Sequence, residues 1–385
     1  MRLADALSRP GFGVVAEFKR RSPSAGEIAA AARIEEVVPV YEAGGARAVS
    51  VLVDAAFGGS LADLRAARAA TRLPLLAKGF FSREQELRGL REAGADAVLL
   101  ILRDLDDSTA ARLLAASSSL GLDALVEAHD RDELRRAVRL GARLIGVNAR
   151  DLGTFRIDRA AQLELVAEAP RDRIVVAESA IQNRAQAAAA ELAGADAILV
   201  GTSLMRSREP AAMLRALLAR PLVKVCGLTR QQDVDAAAAA GADLLGFVFA
   251  EGSPRRAPAL LEVPETALSV AVFVGEAEET EADLVQLYQP AAGAVRGRDG
   301  VLLRRGRPVA RVLDLPWQGA DPDHWRRAAE AEGRVLLAGG LGPDNVRTAI
   351  EAVRPWAVDA SSSLEVAPGI KDHARLRAYV EAARA

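Results

Sequence analysis

Hydrophobic and polar positions recur along this chain as one phrase: a helical stretch, then Gly-Ala, one polar residue, and a short apolar run. It occurs at Gly45-Ala46 before Ala48-Val49-Ser50-Val51-Leu52, at Gly94-Ala95-Asp96 before Ala97-Val98-Leu99-Leu100-Ile101, and at Gly141-Ala142-Arg143 before Leu144-Ile145-Gly146-Val147. It returns at Gly194-Ala195-Asp196 before Ala197-Ile198-Leu199-Val200, and at Gly241-Ala242-Asp243 before Leu244-Leu245-Gly246-Phe247-Val248. Glycine past a helix end caps it, and an unbroken apolar run of this length reads as a strand buried on both faces. Between the phrases, Glu84 to Ala93 and Asp132 to Leu140 carry apolar residues at helical spacing. Strand and helix therefore alternate throughout.

Such alternation fits a doubly wound open sheet or a (βα)8 barrel. Lys19, Lys78, Glu127, Asn148 and Glu178 each stand at or just past the end of an apolar run. Strand ends spaced so evenly meet at one site only if the sheet closes, so an α/β fold of the TIM-barrel kind is expected. A helical stretch from Ala211 to Ala219 ends before Arg220-Pro221, and Leu222-Val223-Lys224-Val225 opens a fresh strand. A chain of 385 residues also exceeds the roughly 250 to 300 at which a single core stops growing. The expectation is two consecutive (βα)8 barrels, residues 1–220 and 221–385. The second falls below the roughly 200 residues of a complete barrel, and Gln286 to Asp314 is too short for a helix, a strand and a helix. Its middle is expected to be pared down or irregular.

Composition narrows the chemistry. A formal net charge of −2 supplies no broad field for nucleic acid or an acidic membrane, so the expected partners are small molecules, with neither nucleic acid nor membrane involved. One cysteine and three histidines leave no disulfide framework and no zinc cluster, and no metal or cofactor is expected. The first thirteen residues, broken by Pro10, Gly11 and Gly13, do not read as a signal peptide, and no apolar run approaches a membrane span. A cytoplasmic, monomeric protein is expected. Of 50 basic residues only Lys19, Lys78, Lys224 and Lys371 are lysine. Arginine is always charged and forked, whereas lysine is compact and able to give up a proton, so the surviving lysines mark positions where a guanidinium fails.

In the first half, Lys19 and Lys78 with Glu17, Glu127 and Glu178 make a mixed-charge group whose pKa values are pushed apart, as acid–base catalysis requires. A buried structural ion-pair network is the plainer alternative. His129, just past Glu127, reads as a loop hydrogen-bonder. The loop Arg20-Arg21-Ser22-Pro23-Ser24-Ala25-Gly26, and Gly201-Thr202-Ser203 opening a helix, offer hydroxyl and N–H groups to a phosphate. Serine and threonine are also ordinary helix caps.

Ala16-Glu17-Phe18-Lys19-Arg20-Arg21-Ser22-Pro23-Ser24-Ala25-Gly26, Lys78-Gly79-Phe80, Val126-Glu127, Ile145-Gly146-Val147-Asn148-Ala149-Arg150-Asp151-Leu152, Ala177-Glu178-Ser179 and Val200-Gly201-Thr202-Ser203-Leu204-Met205 resemble, in order and spacing, the motifs of indole-3-glycerol-phosphate synthase. The resemblance implies a carboxyphenylamino-deoxyribulose phosphate substrate whose aromatic carbon attacks the sugar ketone before carbon dioxide and water are lost. It implies Lys78 as the acid on the ketone oxygen, Glu127 as its partner in dehydration, and Lys19 as a contact for the substrate carboxylate and leaving hydroxyl. Glu17, Asn148 and Glu178 orient these groups; Ser22, Gly201 and Thr202 hold phosphate, with Arg150 and Ser179 also binding substrate. Gly79 stands where the family has aspartate and Ala180 where it has glycine. The family also has a longer N-terminal extension covering the site, so a more open mouth is expected here.

In the second half, Val223-Lys224-Val225-Cys226-Gly227-Leu228-Thr229 puts the cysteine at a strand end. With Gly246-Phe247-Val248-Phe249, Ser253-Pro254-Arg255, Val285-Gln286-Leu287, Val312-Leu313-Asp314, Leu337-Ala338-Gly339-Gly340-Leu341 and Val358-Asp359-Ala360-Ser361-Ser362 through Pro368-Gly369-Ile370-Lys371-Asp372, the order resembles phosphoribosylanthranilate isomerase. The resemblance implies an Amadori rearrangement with Cys226 as base, Asp314 as acid and Arg255 on the anthranilate carboxylate. Gly339, Gly340, Ser361 and Ser362 cradle phosphate, and Asp359 contacts substrate. Tyr288 stands where the family has histidine, Ser363 where it has glycine, and Trp317-Gln318-Gly319-Ala320 replaces a glycine-rich loop.

The expectation is thus two consecutive tryptophan-biosynthesis steps on sugar phosphates. Two alternatives stand beside it, ahead of a binding-only sugar-phosphate protein, which would need no ring of acids and bases. One is a synthase followed by a catalytically weak or structural isomerase-like domain; the other is a Schiff-base aldolase with Lys78 as nucleophile.

Overall fold

The computed structural model describes residues 2–22, 26–150, 157–293, 296–315 and 319–385. The chain divides into two compact units, residues 1–183 with 187–218, and residues 184–186 with 219–385.

The first unit is a closed barrel of eight parallel strands: β1 Gly13–Phe18, β2 Ala48–Leu52, β3 Leu75–Lys78, β4 Ala97–Ile101, β5 Asp123–Ala128, β6 Leu144–Asn148, β7 Ile174–Glu178 and β8 Ala197–Val200. β8 pairs back to β1 from Gly13↔Ala197 to Ala16↔Val200. The recurring phrase has a local cause. Gly45, Gly94, Gly141, Gly194 and Gly241 all take positive φ, the left-handed step that ends a helix and turns the chain into the next strand. The aspartate that often follows accepts an N–H at the start of the neighbouring strand: Leu75 N to Asp96 Oδ2 at 3.0 Å, and Val175 N to Asp196 Oδ2 at 2.8 Å.

The barrel interior at its N-terminal end is apolar, with Val15, Leu76, Leu99, Leu125, Val176 and Leu199 packed on Leu3, Ala4 and Leu7 of the short helix Leu3–Leu7. Ala4 N donates to Asp123 Oδ2 at 2.9 Å. This first helix therefore closes the end opposite the residues Lys78, Glu127 and Glu178. Helices such as Glu84–Glu92, Arg131–Arg139 and Pro210–Leu218 cover the outside, each within a residue or two of the stretch its spacing predicts.

The second unit is also a closed eight-stranded barrel: β9 Leu222–Cys226, β10 Leu244–Val248, β11 Leu268–Val274, β12 Leu284–Tyr288, β13 Gly300–Arg304, β14 Arg307–Leu313, β15 Val335–Leu337 and β16 Ala357–Ala360. The expected irregularity takes a definite form. β13 runs antiparallel to both β12 and β14, so a β-hairpin stands where a helix, a strand and a helix were to fit. Among the described residues the helices of this unit are Gln231–Ala239, His324–Ala329, Val346–Val353 and His373–Arg384, and none lies between β10 and β14. β11 is still buried at all but its last position, while β12 alternates buried and half-buried positions where β9 is buried throughout. No helix among the described residues is long and apolar enough to cross a membrane.

Candidate active sites

The C-terminal strand ends of the first barrel surround a cavity of about 740 Å³. Glu17, Lys19, Ser22, Lys78, Glu127, Asn148, Arg150, Ser179, Gly201 and Thr202 all line it. Glu178 lies beneath, wholly buried, and its Oε2 accepts from Lys78 Nζ at 2.5 Å. Glu17 Oε2 and Glu127 Oε2 stand 3.7 and 3.8 Å from the same ammonium, and Glu17 Oε1 pairs with Lys19 Nζ at 2.6 Å. Pro23, Ser24, Ala25, Asp151 and Leu152 of the sequence motifs lie outside the described residues.

Burial works against the charges of Lys78, Glu17, Glu127 and Glu178, and the neighbours decide the outcome. Burial lowers the Lys78 pKa, but Glu178, Glu17 and Glu127 outweigh it and raise it well above the ordinary lysine range. A cation held this firmly keeps its charge and is suited to binding an anion. Burial raises Glu17, yet Lys19 and Lys78 bring it below the usual carboxylate range. Burial also raises Glu127, but His129, Lys78 and Asn148 draw it down to about 2. Glu178 goes the other way, to about 7, because burial and the negative neighbours Glu127 and Glu17 exceed the help from Lys78. Two carboxyl groups facing one lysine are thus pushed apart, one a fixed anion and one able to hold a proton near neutrality.

His129 contributes more than a loop hydrogen bond. Its Nε2 lies 3.2 Å from Glu127 Oε1 and its Nδ1 3.0 Å from Glu133 Oε2. Burial lowers its pKa, but these two carboxylates raise it to about 9. Glu133, not singled out among the motifs, stands four residues on, one helical turn later, and completes the clamp.

The departures at this site have physical reasons. A Cβ at Gly79 would meet Phe81 Cζ at 2.9 Å, so an aromatic ring fills the room an aspartate would take. Gly201 is required by Glu17 and Lys19, since a Cβ there would lie 2.3 Å from Glu17 Oε1 and 3.0 Å from Lys19 Nζ. Ser179 and Ala180 both take left-handed backbone, φ 71° and 58°, a conformation that suits glycine and strains alanine. Phe80 of the Lys78-Gly79-Phe80 motif and Phe57, which no motif singled out, have ring centroids 6.2 Å apart and add an aromatic side to the cavity.

The second barrel's mouth holds a cavity of about 170 Å³. Cys226, Arg255, Asp314, Gly339, Gly340, Asp359, Ser361 and Ser362 all line it, so the expected set converges here as well. Tyr288 and Arg296 join them. Asp314 Oδ2 accepts from Tyr288 Oη at 2.8 Å and pairs with Arg296 Nη2 at 2.7 Å, while Oδ1 accepts the Leu315 N–H at 2.7 Å. Arg296 comes from the β12–β13 connection, which the motif order did not single out. Burial and Asp314 push the Tyr288 hydroxyl well above its ordinary pKa. Arg255 presents Nε and Nη2 to Glu365, at 2.9 to 3.0 Å, and Lys371 Nζ shares that carboxylate at 2.8 Å. Gly339 has a packing role: a Cβ would lie 2.8 Å from Leu315 N and 3.1 Å from Asp314 Oδ1. Ser363 Oγ donates to the Leu341 carbonyl. Trp317 and Gln318 lie outside the described residues. All four lysines of the chain therefore stand at or beneath one of the two mouths.

The chain matches the family model "Indole-3-glycerol phosphate synthase" over residues 1–217 and the model "N-(5'phosphoribosyl)anthranilate (PRA) isomerase" over residues 323–382. It is 47% identical over 213 residues to indole-3-glycerol phosphate synthase of Micrococcus luteus, covering 55% of this chain and 80% of that one. It is 45% identical over 225 residues to the synthase of Opitutus terrae, 56% of this chain and 85% of that one. Among solved structures, TrpF from Jonesia denitrificans matches 43% of this chain and 97% of its own, at 31% identity and a TM-score of 0.34. The lysine–carboxylate mouth and the family match over the same residues lead to one conclusion: the chain belongs to the indole-3-glycerol phosphate synthase family and carries a phosphoribosylanthranilate isomerase domain behind it.

Proposed function

We propose that the two barrels carry out consecutive steps of tryptophan biosynthesis, isomerisation in residues 221–385 and ring closure in residues 1–220. The observation that carries the second step is the Lys78 ammonium set among Glu17, Glu127 and Glu178 over a cavity large enough for an aryl sugar phosphate. Lys78 donates to the ketone oxygen as the aromatic carbon attacks, so the developing alkoxide meets a proton and a positive charge together. Carbon dioxide leaves and the ring regains aromaticity. Glu127, fixed as an anion, serves the dehydration with Lys19 near the departing hydroxyl. Glu17, Asn148 and Glu178 keep the two lysines in place. Ser22, Ser179, Gly201 and Thr202 surround the phosphate end, Arg150 meets substrate, and Phe57 and Phe80 flank the aryl ring.

In the isomerase barrel, Asp314 protonates the ribose ring oxygen as the C1′–O bond opens, and Cys226 removes the C2′ proton. The Nη1 side of Arg255 meets the aryl carboxylate, Asp359 a sugar hydroxyl, and Gly339, Gly340, Ser361 and Ser362 the phosphate. One observation favours a second reading, an isomerase domain of low turnover: both Asp314 oxygens already accept from Tyr288, Arg296 and Leu315. Isomerase assays with Cys226→Ala and Asp314→Asn controls separate the two, since absence of turnover in the parent chain supports only the second. A cytoplasmic, monomeric chain acting on small phosphorylated substrates belongs to the same proposal. Supplying the ketose phosphate directly and following indole fluorescence tests the synthase; a Lys78→Arg chain that keeps full turnover overturns the assignment.

A further inference from the structure

Cys226 is the only cysteine of the chain, and the same strand places a lysine two residues earlier, on the same face of the sheet. Lys224 is wholly buried. Its Nζ lies 2.7 Å from Asp359 Oδ2, contributed by the residue paired with it across β9 and β16. Packing protects this arrangement, because a Cβ at Gly246 on β10 would stand 2.7 Å from Cys226 Sγ and 3.0 Å from Lys224 Cε. The remaining charged groups around the thiol are Asp359 from β16, Lys371 near the start of the last helix, and Arg255 after β10. Lys371 and Arg255 are both tied to Glu365. Asp359 Oδ1, buried and on the cavity wall, has no hydrogen-bond partner among the described residues. A buried ammonium is costly, and nothing in the rearrangement as described uses this one.

We infer that Lys224 is a positioning residue for the isomerase base: its ammonium, anchored by Asp359, sits beneath Cys226 and favours the thiolate that takes the C2′ proton. The inference rests on the reading of Cys226 as that base. In the step, the thiolate gains the proton, the C2′–H electron pair becomes the C1′=C2′ double bond, and the iminium nitrogen recovers its lone pair. Lys224 neither gives nor takes a proton. Burial, with Asp359 adding to it, holds the Cys226 thiol above its ordinary range, and Lys224 is the largest influence opposing that rise. Burial works against the Lys224 charge, but Asp359 and Cys226 outweigh it and raise its pKa, so the lysine keeps its proton while the thiol titrates.

A lone cysteine makes the test direct. The pH profile of iodoacetamide alkylation of the full chain, followed by mass, reports the apparent pKa of Cys226 through its midpoint, while accessibility scales the whole curve. Lys224→Gln, which keeps a hydrogen bond to Asp359 without the charge, is expected to raise the apparent thiol pKa by at least one unit, about a tenfold slower alkylation at neutral pH. Asp359→Asn is expected to lower it and speed alkylation. An unchanged profile in Lys224→Gln overturns the inference; should that variant fail to fold, an unchanged or slowed profile in Asp359→Asn does so. If Cys226→Ala retains isomerase turnover, it is the base assignment that fails, and the alkylation shifts still report whether Lys224 controls the thiol.

Discussion

The two barrels close the same number of strands and reach it differently. The first keeps eight parallel strands wrapped in helices and opens a cavity of about 740 Å³; the second reverses one strand, has no helix between β10 and β14 among the described residues, and holds about 170 Å³. What survives in the smaller barrel is informative. Cys226 on β9, Asp359 on β16, and Gly339, Gly340, Ser361 and Ser362 beyond β15 and β16 come from the complete portion of the wall, where helices still follow strands. The pared portion contributes Asp314, Tyr288 and Arg296, and there the carboxylate is tied to a guanidinium supplied by the new connection. A barrel can thus exchange helices for a hairpin and keep its charged mouth, because the inward-facing residues belong to the strands.

The largest effects should come from the separate chemistry of the two mouths. Lys78→Ala is expected to reduce synthase turnover by about 10²- to 10⁴-fold, the usual worth of a positioned acid, and to leave isomerase turnover unchanged. Cys226→Ala should do the reverse. Loss of both activities in either single variant, with the fold intact by circular dichroism, would break the comparison.

A smaller effect separates the mouths by pH. The His129 pKa is raised to about 9 by Glu127 and Glu133 against the cost of burial. Its unfolded value is about 6.5, so the folded chain binds this proton more tightly. The stabilisation is fully present below about pH 6.5 and is lost as pH rises through about 9. Denaturant unfolding of the full chain should therefore show the gap between the parent and His129→Asn shrinking across that window. A gap independent of pH would mean that His129 acts through packing alone.

The smallest effect concerns strain. Ala180 sits at φ 58°, and glycine there is expected to gain up to about 1 kcal/mol in the same unfolding measurement. A loss would place the constraint elsewhere.

Much of this was legible in the residues. The Gly-Ala phrase predicts strand and helix because each glycine must take positive φ, and the scarcity of lysine points to both mouths. The reversed strand was not legible, although the shortage of residues between Gln286 and Asp314 was. Its turn, Arg305-Gly306, has φ 46° and 73°, the geometry usually announced by Asn-Gly or Asp-Gly. An arginine in the first position hides the signal. Glu133 stands four residues after His129, a helical spacing that could have marked it, whereas Glu365 meets Arg255 only through the fold, 110 residues away.

The most direct test of two independent sites on one chain uses two defective variants. Lys78→Arg and Cys226→Ala are each given phosphoribosylanthranilate, alone and then mixed, while indole-glycerol-phosphate fluorescence is followed. Neither variant alone should form the indole product, Lys78→Arg should accumulate the ketose intermediate, and the mixture should recover product formation after a lag. Product from Lys78→Arg alone, or none from the mixture, would contradict the account.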